Sequence, residues 1–261
     1  MSGTTIETVE LRNLSKSFGE KKVFQSVTNY LKRGELLGLT GLNGCGKTTL
    51  SKILLGLESA DEGEILYFDN ESKKLNLMQT DARRSFYYVF QDPDHQIVGT
   101  IVEDDVAFGL ENHGVDGYEL RKKVDDAILR AGLEAVRKLN PVFLSGGQKQ
   151  RLAIAGALCV GAEFLILDEP TAMLDSSARR DFLNFLKELT DQGVSILLIS
   201  HHSEELALCE RLWVLQNGDL LEFKTPGDFL DSPQSLDANL LPTRECLLEQ
   251  AQQTVGEEDW H

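Results

Sequence analysis

Long apolar runs are absent from this 261-residue sequence. The longest stretch of that kind, residues 153–162, is only weakly apolar and far short of the ~18 residues that a membrane-spanning helix needs. Residues 1–10 carry neither a basic cluster nor an apolar run, so no secretory signal is expected. Any membrane location is therefore expected to come through a partner. Positive charge is also in short supply: 26 Lys and Arg stand against 42 Asp and Glu, for a net charge of −16 and an isoelectric point of about 4.7. That balance argues against a free-standing nucleic-acid binder, which shows a basic face, and against direct attachment to an anionic lipid surface. The acidity either serves solubility or receives a basic partner. The cysteines are Cys45, Cys159, Cys209 and Cys246, with no CxxC pair and no metal-ligand spacing. That pattern fits a reducing cytoplasm, and Cys159, in an apolar helical stretch, is expected in the core. No internal repeat, low-complexity block or sustained heptad pattern occurs.

What is present is enough apolar material, 41% of residues, for one large α/β domain with a small insertion or for two modest lobes. Residues 5–34 alternate apolar and polar positions, as at Val9, Leu11, Val23 and Val27, which predicts short antiparallel strands. ELLGLT at 35–40 reads as a buried strand, and a glycine-rich turn follows at 41–46. Residues 47–57 then place Leu50, Ile53, Leu54 and Leu57 at helical spacing. Residues 63–68 and 85–90 read as strands. Residues 92–143 are rich in Asp and Glu with a helical period over 120–133, the pattern of an inserted helical subdomain. Residues 144–160 open on a glycine pair and become a helix. FLIL at 164–167 is a second apolar strand, ending in Asp168 and Glu169. Residues 176–190 form an amphipathic helix with Ala178, Phe182, Phe185, Leu186 and Leu189 on one face, stopped at Gly193. Residues 195–200 are a third buried strand, ending at His201 and His202. Alternating strands and helices imply a mostly parallel sheet covered on both faces. Beyond about residue 231 the chain is acidic, Gln-rich and poorly periodic, as in a mobile tail.

GLNGCGKT at 41–48 matches G-x4-G-K-[ST] between a strand and a helix. Its glycines turn successive backbone N–H groups toward phosphate oxygens, and the following helix adds its positive end. Gly41, Asn43, Gly44, Cys45, Gly46, Lys47, Thr48 and Thr49 are therefore candidates for binding ATP. Lys47 is expected to reach the β- and γ-phosphates and Thr48 to ligate Mg²⁺. Asp168 ends a buried strand, where ligands of open α/β sheets bind, and is expected to hold Mg²⁺ from its second side. Glu169 is placed to polarise the attacking water. Gln91, at the end of strand 85–90, faces both water and metal. His201 ends another strand and is the second candidate near the γ-phosphate, whereas His202 reads as structural or exposed. Ser145, Gly146, Gly147 and Gln148 of LSGGQ make a second anion site at a helix N-terminus. One chain thus has two phosphate-recognition elements and one Mg²⁺ set, which a head-to-tail dimer would reconcile.

GLNGCGKTT, Gln91, LSGGQKQR, LILDEPT, Leu174-Asp175 and His201 follow the order of an ABC ATPase domain, which the chain resembles over roughly residues 6–230. The resemblance implies a P-loop NTPase of α/β class with a mostly parallel core sheet, an N-terminal antiparallel β subdomain and an inserted α-helical subdomain. It divides the chain into 1–91 and 148–230 for the ATP-binding core, 92–147 for the helical subdomain with LSGGQ, and 231–261 for a short tail. It implies ATP sandwiched between two such subunits, identical or paralogous. It also implies that Phe18, in SKSFG, is the aromatic that stacks on adenine, the alternative being a strand-core phenylalanine. Asp175 resembles the aspartate that couples the two sites.

FQDPDHQI at 90–97 and VEDDVAFGLEN at 102–112 resemble the ATPase subunits of energy-coupling factor transporters. In that group a transmembrane T subunit docks through arginine-bearing coupling helices, and a small membrane S subunit captures a vitamin or a metal ion. The acidic cluster Asp92, Asp94, Glu103, Asp104 and Asp105 would suit a basic coupling helix, with Asp92 and Asp94 as the docking pair; the alternative is a solvated acidic face. The expected place is the cytoplasmic face of the membrane, and no nucleic acid is expected. The alternative function is the ATPase of a conventional ABC importer with a separate solute-binding protein. Three positions depart from the family pattern. Cys45 stands where serine is usual and could add redox sensitivity. Met173 stands where a small residue is common, and Ser176 where proline is common.

Overall fold

A computed structural model describes residues 5–75 and 85–230. The expectations for the tail and for Cys246 lie outside the described residues. Strands β1 (Thr8–Phe18) and β2 (Lys21–Lys32) pair antiparallel, and β4 (Glu62–Phe68) joins the other edge of β1. These first two strands run 11 and 12 residues and are not short. Register shifts at Leu11/Leu14, Leu14/Lys16 and Lys16/Ser17 break their alternation, because each bulge flips the inward face.

The second sheet has the order β5-β6-β7-β3-β8-β9. It comprises β3 (Leu36–Thr40), β5 (Phe86–Val89), β6 (Phe164–Asp168), β7 (Ser195–Ile199), β8 (Arg211–Gln216) and β9 (Asp219–Phe223). All neighbours are parallel except β8 and β9. Successive side chains of these strands point to opposite faces. Phe164, Ile166, Leu197, Ile199, Leu37 and Leu39 therefore pack toward the antiparallel sheet and helix α1 (Lys47–Leu54). Leu165, Leu167, Ile196 and Leu198 pack toward the helices on the other face. Such two-sided burial explains why these strands read as continuous apolar runs.

The helical face holds α2 (Val102–Asn112), α3 (Gly117–Ala131), α4 (Gly146–Cys159) and α5 (Ser176–Asp191). Helix α4 lies against α2, α3 and β5, so it is buried nearly all round. Helix α5 buries Phe182, Leu183, Phe185, Leu186 and Leu189, and Gly193 follows its end with φ 87°. Helices α6 (Ser203–Leu206) and α7 (Pro226–Leu230) are short. Helix α1 stops at Leu54, earlier than its apolar spacing suggests, because Gly56 turns left-handed and leaves Leu57 exposed. The β8–β9 hairpin carries Asn217-Gly218 at its turn, both with positive φ, a signal for a tight hairpin. None of the described helices is long and apolar enough to cross a membrane.

Candidate active site

Four parallel strands end along one edge of the second sheet. The register pairs Val89 with Leu167, Asp168 with Ile199, and Leu39 with Ile199. The chain therefore leaves β3, β5, β6 and β7 side by side. They deliver, in turn, the glycine-rich loop, Gln91, the Asp168-Glu169 pair, and His201. A cleft of about 350 Å³ opens there. Asn43, Gly44, Gly46, Lys47, Thr48 and Thr49 line it from the loop and α1, Gln91, Asp168 and Glu169 from the strand ends, and Phe18, Lys21 and Val23 from the first hairpin.

The loop is shaped by two glycines. Gly41 has φ 140° and Gly46, capping α1, has φ 118°. A Cβ on Gly41 would stand 2.2 Å from the Leu215 carbonyl oxygen, so the turn admits no side chain. Buried Lys47 donates to the carbonyls of Gly41 (2.7 Å) and Leu42 (3.2 Å), which folds its ammonium into the loop. Gly41 and Cys45 do not line the cleft. Cys45 packs partly against the core, and burial pushes its thiol pKa up. A protonated thiol is a weaker nucleophile than a thiolate, so this shift works against reactivity at Cys45.

The carboxylates have partners that sequence reasoning missed. The Tyr88 hydroxyl donates to Asp168 Oδ2 from the neighbouring strand. Burial, then Asp168, raises the pKa of this phenol and keeps it protonated. Glu169 has φ 47°, an unusual conformation for a residue with a side chain, worth on the order of 1–3 kcal/mol of strain and typical of functional sites. Its N–H donates to the Ile199 carbonyl at 3.0 Å. His201 Nε2 lies 3.4 Å from Glu169 Oε1 without hydrogen-bonding geometry. Burial and then Lys47 lower the His201 pKa, against an opposing pull from Glu169, so the imidazole is neutral at neutral pH. Behind both, fully buried Glu205 accepts from the hydroxyls of Thr171 and Ser200, the latter at 2.7 Å, with Arg179 Nε 3.5 Å away. It ties the turn after Glu169 to the residue before His201. Short-range sequence signals carry none of these cross-element contacts.

Residues 145–148 stand elsewhere. Ser145 caps α4: its hydroxyl accepts from the Gln148 N–H (3.3 Å), and its own N–H donates to Gln148 Oε1 (3.0 Å). This capping box does not contribute to the cleft. The glycine-rich loop at 41–49 and residues 145–148 are thus not brought together within one chain.

A family model described as ABC transporter matches residues 24–172. The chain belongs to the ABC transporter family. The energy-coupling factor transporter ATP-binding protein EcfA1 of Streptococcus pneumoniae is 39% identical over 233 residues, covering 88% of this chain and 84% of that one. The EcfA1 of Clostridium novyi is 41% identical over 231 residues, covering 86% and 82%. Among solved structures, cbiO1 from Clostridium perfringens, described as part of the ABC transporter complex cbiONQ, superposes with a TM-score of 0.79 at 30% identity, covering 89% of this chain and 93% of that one. The ABC ATPase fold expected from the motifs is the fold observed.

Within this ABC fold the remaining candidates find definite places. Phe18 is 53% exposed and lines the cleft, so it is not a strand-core residue. Thr48, Gln91 and Asp168 present a hydroxyl, an amide and a carboxylate to one cleft, a hard-oxygen set that fits Mg²⁺ completed by phosphate oxygens and water. Asp175 caps α5, accepting from Ser177 and Ala178 N–H at 2.9 Å; it is exposed, as is Met173 beside it. The acidic cluster is not one open face. Glu103 is paired with Arg137 and Lys138, Asp105 accepts from Val98 and Gly99 N–H, and Asp94 pairs with Lys149 at 2.7 Å. Asp92 caps a short turn through Asp94 N–H, and Asp104 is exposed.

Proposed function

We propose that this chain hydrolyses ATP to drive uptake across a membrane, as the ATPase subunit of an energy-coupling factor transporter acting at the cytoplasmic face. It works head-to-tail with a second ATPase subunit, identical or paralogous. LSGGQ residues Ser145, Gly146, Gly147 and Gln148 of each chain cap the nucleotide held by the other's phosphate loop. A T-type membrane subunit docks its coupling helices near Asp92 and Asp94, and an S-type subunit captures a vitamin or transition-metal ion. No nucleic acid takes part. The relatives' names support this reading over a conventional importer with a separate solute-binding protein.

In the site, the backbone N–H groups of the loop and the N-terminus of α1 receive the phosphates. Phe18 stacks on the adenine. Lys47 swings from the carbonyls of Gly41 and Leu42 to the β- and γ-phosphates. Thr48, Gln91 and Asp168 would hold Mg²⁺, which offsets phosphate charge when bound. Glu169 orients and polarises the attacking water. His201, neutral and beside Glu169, steadies that carboxylate and the γ-phosphate. Asp175 links the two sites across the dimer. Such chemistry is mostly positioning and charge stabilisation.

The observation that carries the composite site is that residues 145–148 lie outside the cleft lined by Lys47 and Thr48. The test is to place Ser145→Arg in one ATPase position of the purified complex and Lys47→Ala in the other. Each of the two mixed arrangements keeps one intact composite site and is expected to retain ATPase activity above a complex that carries either variant in both positions. Complete inactivity in both arrangements would overturn the cross-chain arrangement.

A further inference from the structure

We infer that Tyr88 is a positioning residue for Asp168 and thereby sets how tightly the cleft holds a divalent cation. The inference rests on the proposed role of Asp168. Asp168 ends β6 and lines the cleft, and the Tyr88 hydroxyl reaches its Oδ2 from β5. A carboxylate on a strand end rotates readily about its last torsion. A donor fixed on one oxygen holds that rotation and leaves Oδ1 as the freer oxygen.

The donor itself is well anchored. The Tyr88 ring packs against the core between the second sheet, the antiparallel sheet and α1, and meets Phe90 edge-on at 5.1 Å. Strand alternation sends Tyr87 to the opposite face, toward the helices, so the two adjacent tyrosines are not interchangeable. Phe86 shares the face of Tyr88 but stacks on Phe164 at 4.9 Å and has no hydroxyl. Of these three aromatics, only Tyr88 carries a hydroxyl that reaches the carboxylate. Outer partners that orient a metal-ligating group are typically worth 10–100-fold in metal affinity.

The test compares Tyr88→Phe with its parent, both carrying Glu169→Gln to stop turnover. Mn²⁺ binding to the full chain with ATP is followed by electron paramagnetic resonance, against an ATP-only control. ATP affinity in chelator is measured in parallel. We expect Mn²⁺ to bind about tenfold more weakly in the variant with metal-free ATP affinity unchanged. Equal Mn²⁺ affinity overturns the inference. An equal loss of metal-free ATP affinity also overturns it, since Tyr88 would then serve packing alone; normalising metal to nucleotide affinity keeps the reading valid if the variant is less stable. Asp168→Asn separates the two levels. If that variant binds Mn²⁺ like the parent, the role of Asp168 itself is wrong and the Tyr88 inference falls with it.

Discussion

Gly41 of the loop at 41–49 and Gly147 of LSGGQ meet opposite demands from the fold. In the phosphate loop the demand is internal: Gly41 has φ 140°, and a Cβ there would meet the backbone of Leu215 at 2.2 Å. At Gly147 of LSGGQ it is not. Gly147 sits in ordinary helical backbone, and a Cβ would find nothing nearer than Ala178 at 3.9 Å. The fold of one chain therefore explains the first loop but leaves Gly147 without a reason. A bare backbone that its own chain does not need fits the proposal that Gly147 faces the nucleotide of a second subunit.

That contrast breaks most sharply at Gly41. Gly41→Ala combines a backbone conformation rarely open to side chains with overpacking against β8, and is expected to lower stability by about 2–5 kcal/mol. ATP binding should be lost with it, as read by thermal melting and nucleotide titration. Gly147→Ala should behave oppositely. Alanine favours a helix over glycine by at most about 1 kcal/mol, so the isolated chain should melt no lower and bind ATP as before. ATPase activity of the assembled transporter should nonetheless fall at least about tenfold, the loss of roughly 1.4 kcal/mol of transition-state stabilisation. If Gly147→Ala unfolds the chain, or if turnover is unchanged, the two loops do not differ in the way argued.

The sequence made legible those parts of the site that are short and contiguous. The loop at 41–49, the pair Asp168-Glu169 and LSGGQ each state their chemistry within a few residues, and the apolar strands before them declare a buried sheet. What stayed hidden depends on adjacency between elements. Tyr88 meets Asp168 only because β5 lies beside β6, and Glu205 reaches from α6 to both Thr171 and Ser200. The length of β1 and β2 was masked by bulges that reverse the alternation. The acidity of 92–105 looked like one surface, yet Glu103 and Asp105 spend their charges inside the helical region. Only the β8–β9 hairpin was announced and passed over, in Asn217-Gly218.

Between the loops, Ser145 tests whether the second one is at least well built as a helix start. Ser145→Ala removes the acceptor for Gln148 N–H and is expected to lower the stability of the nucleotide-free chain by about 1 kcal/mol. An unchanged melting temperature would mean that the capping box contributes nothing without a nucleotide.

The smallest effect concerns His201, on the side of the first loop. Its pKa is lowered in the folded chain by burial and by Lys47, so the folded state resists a proton that the unfolded chain accepts. The stability associated with the neutral ring is fully present above the ordinary imidazole value of 6.5 and is lost as pH falls toward the lowered value, because the unfolded state then binds more protons. His201→Gln removes this group from the balance. Melting temperatures taken between about pH 5 and 7.5 should therefore fall more steeply for the parent than for the variant. Parallel curves would mean that the imidazole titrates alike in both states. The burial and the Lys47 charge that lower its pKa would then have no hold on it, and the neutrality of His201 beside Glu169 would owe nothing to the site.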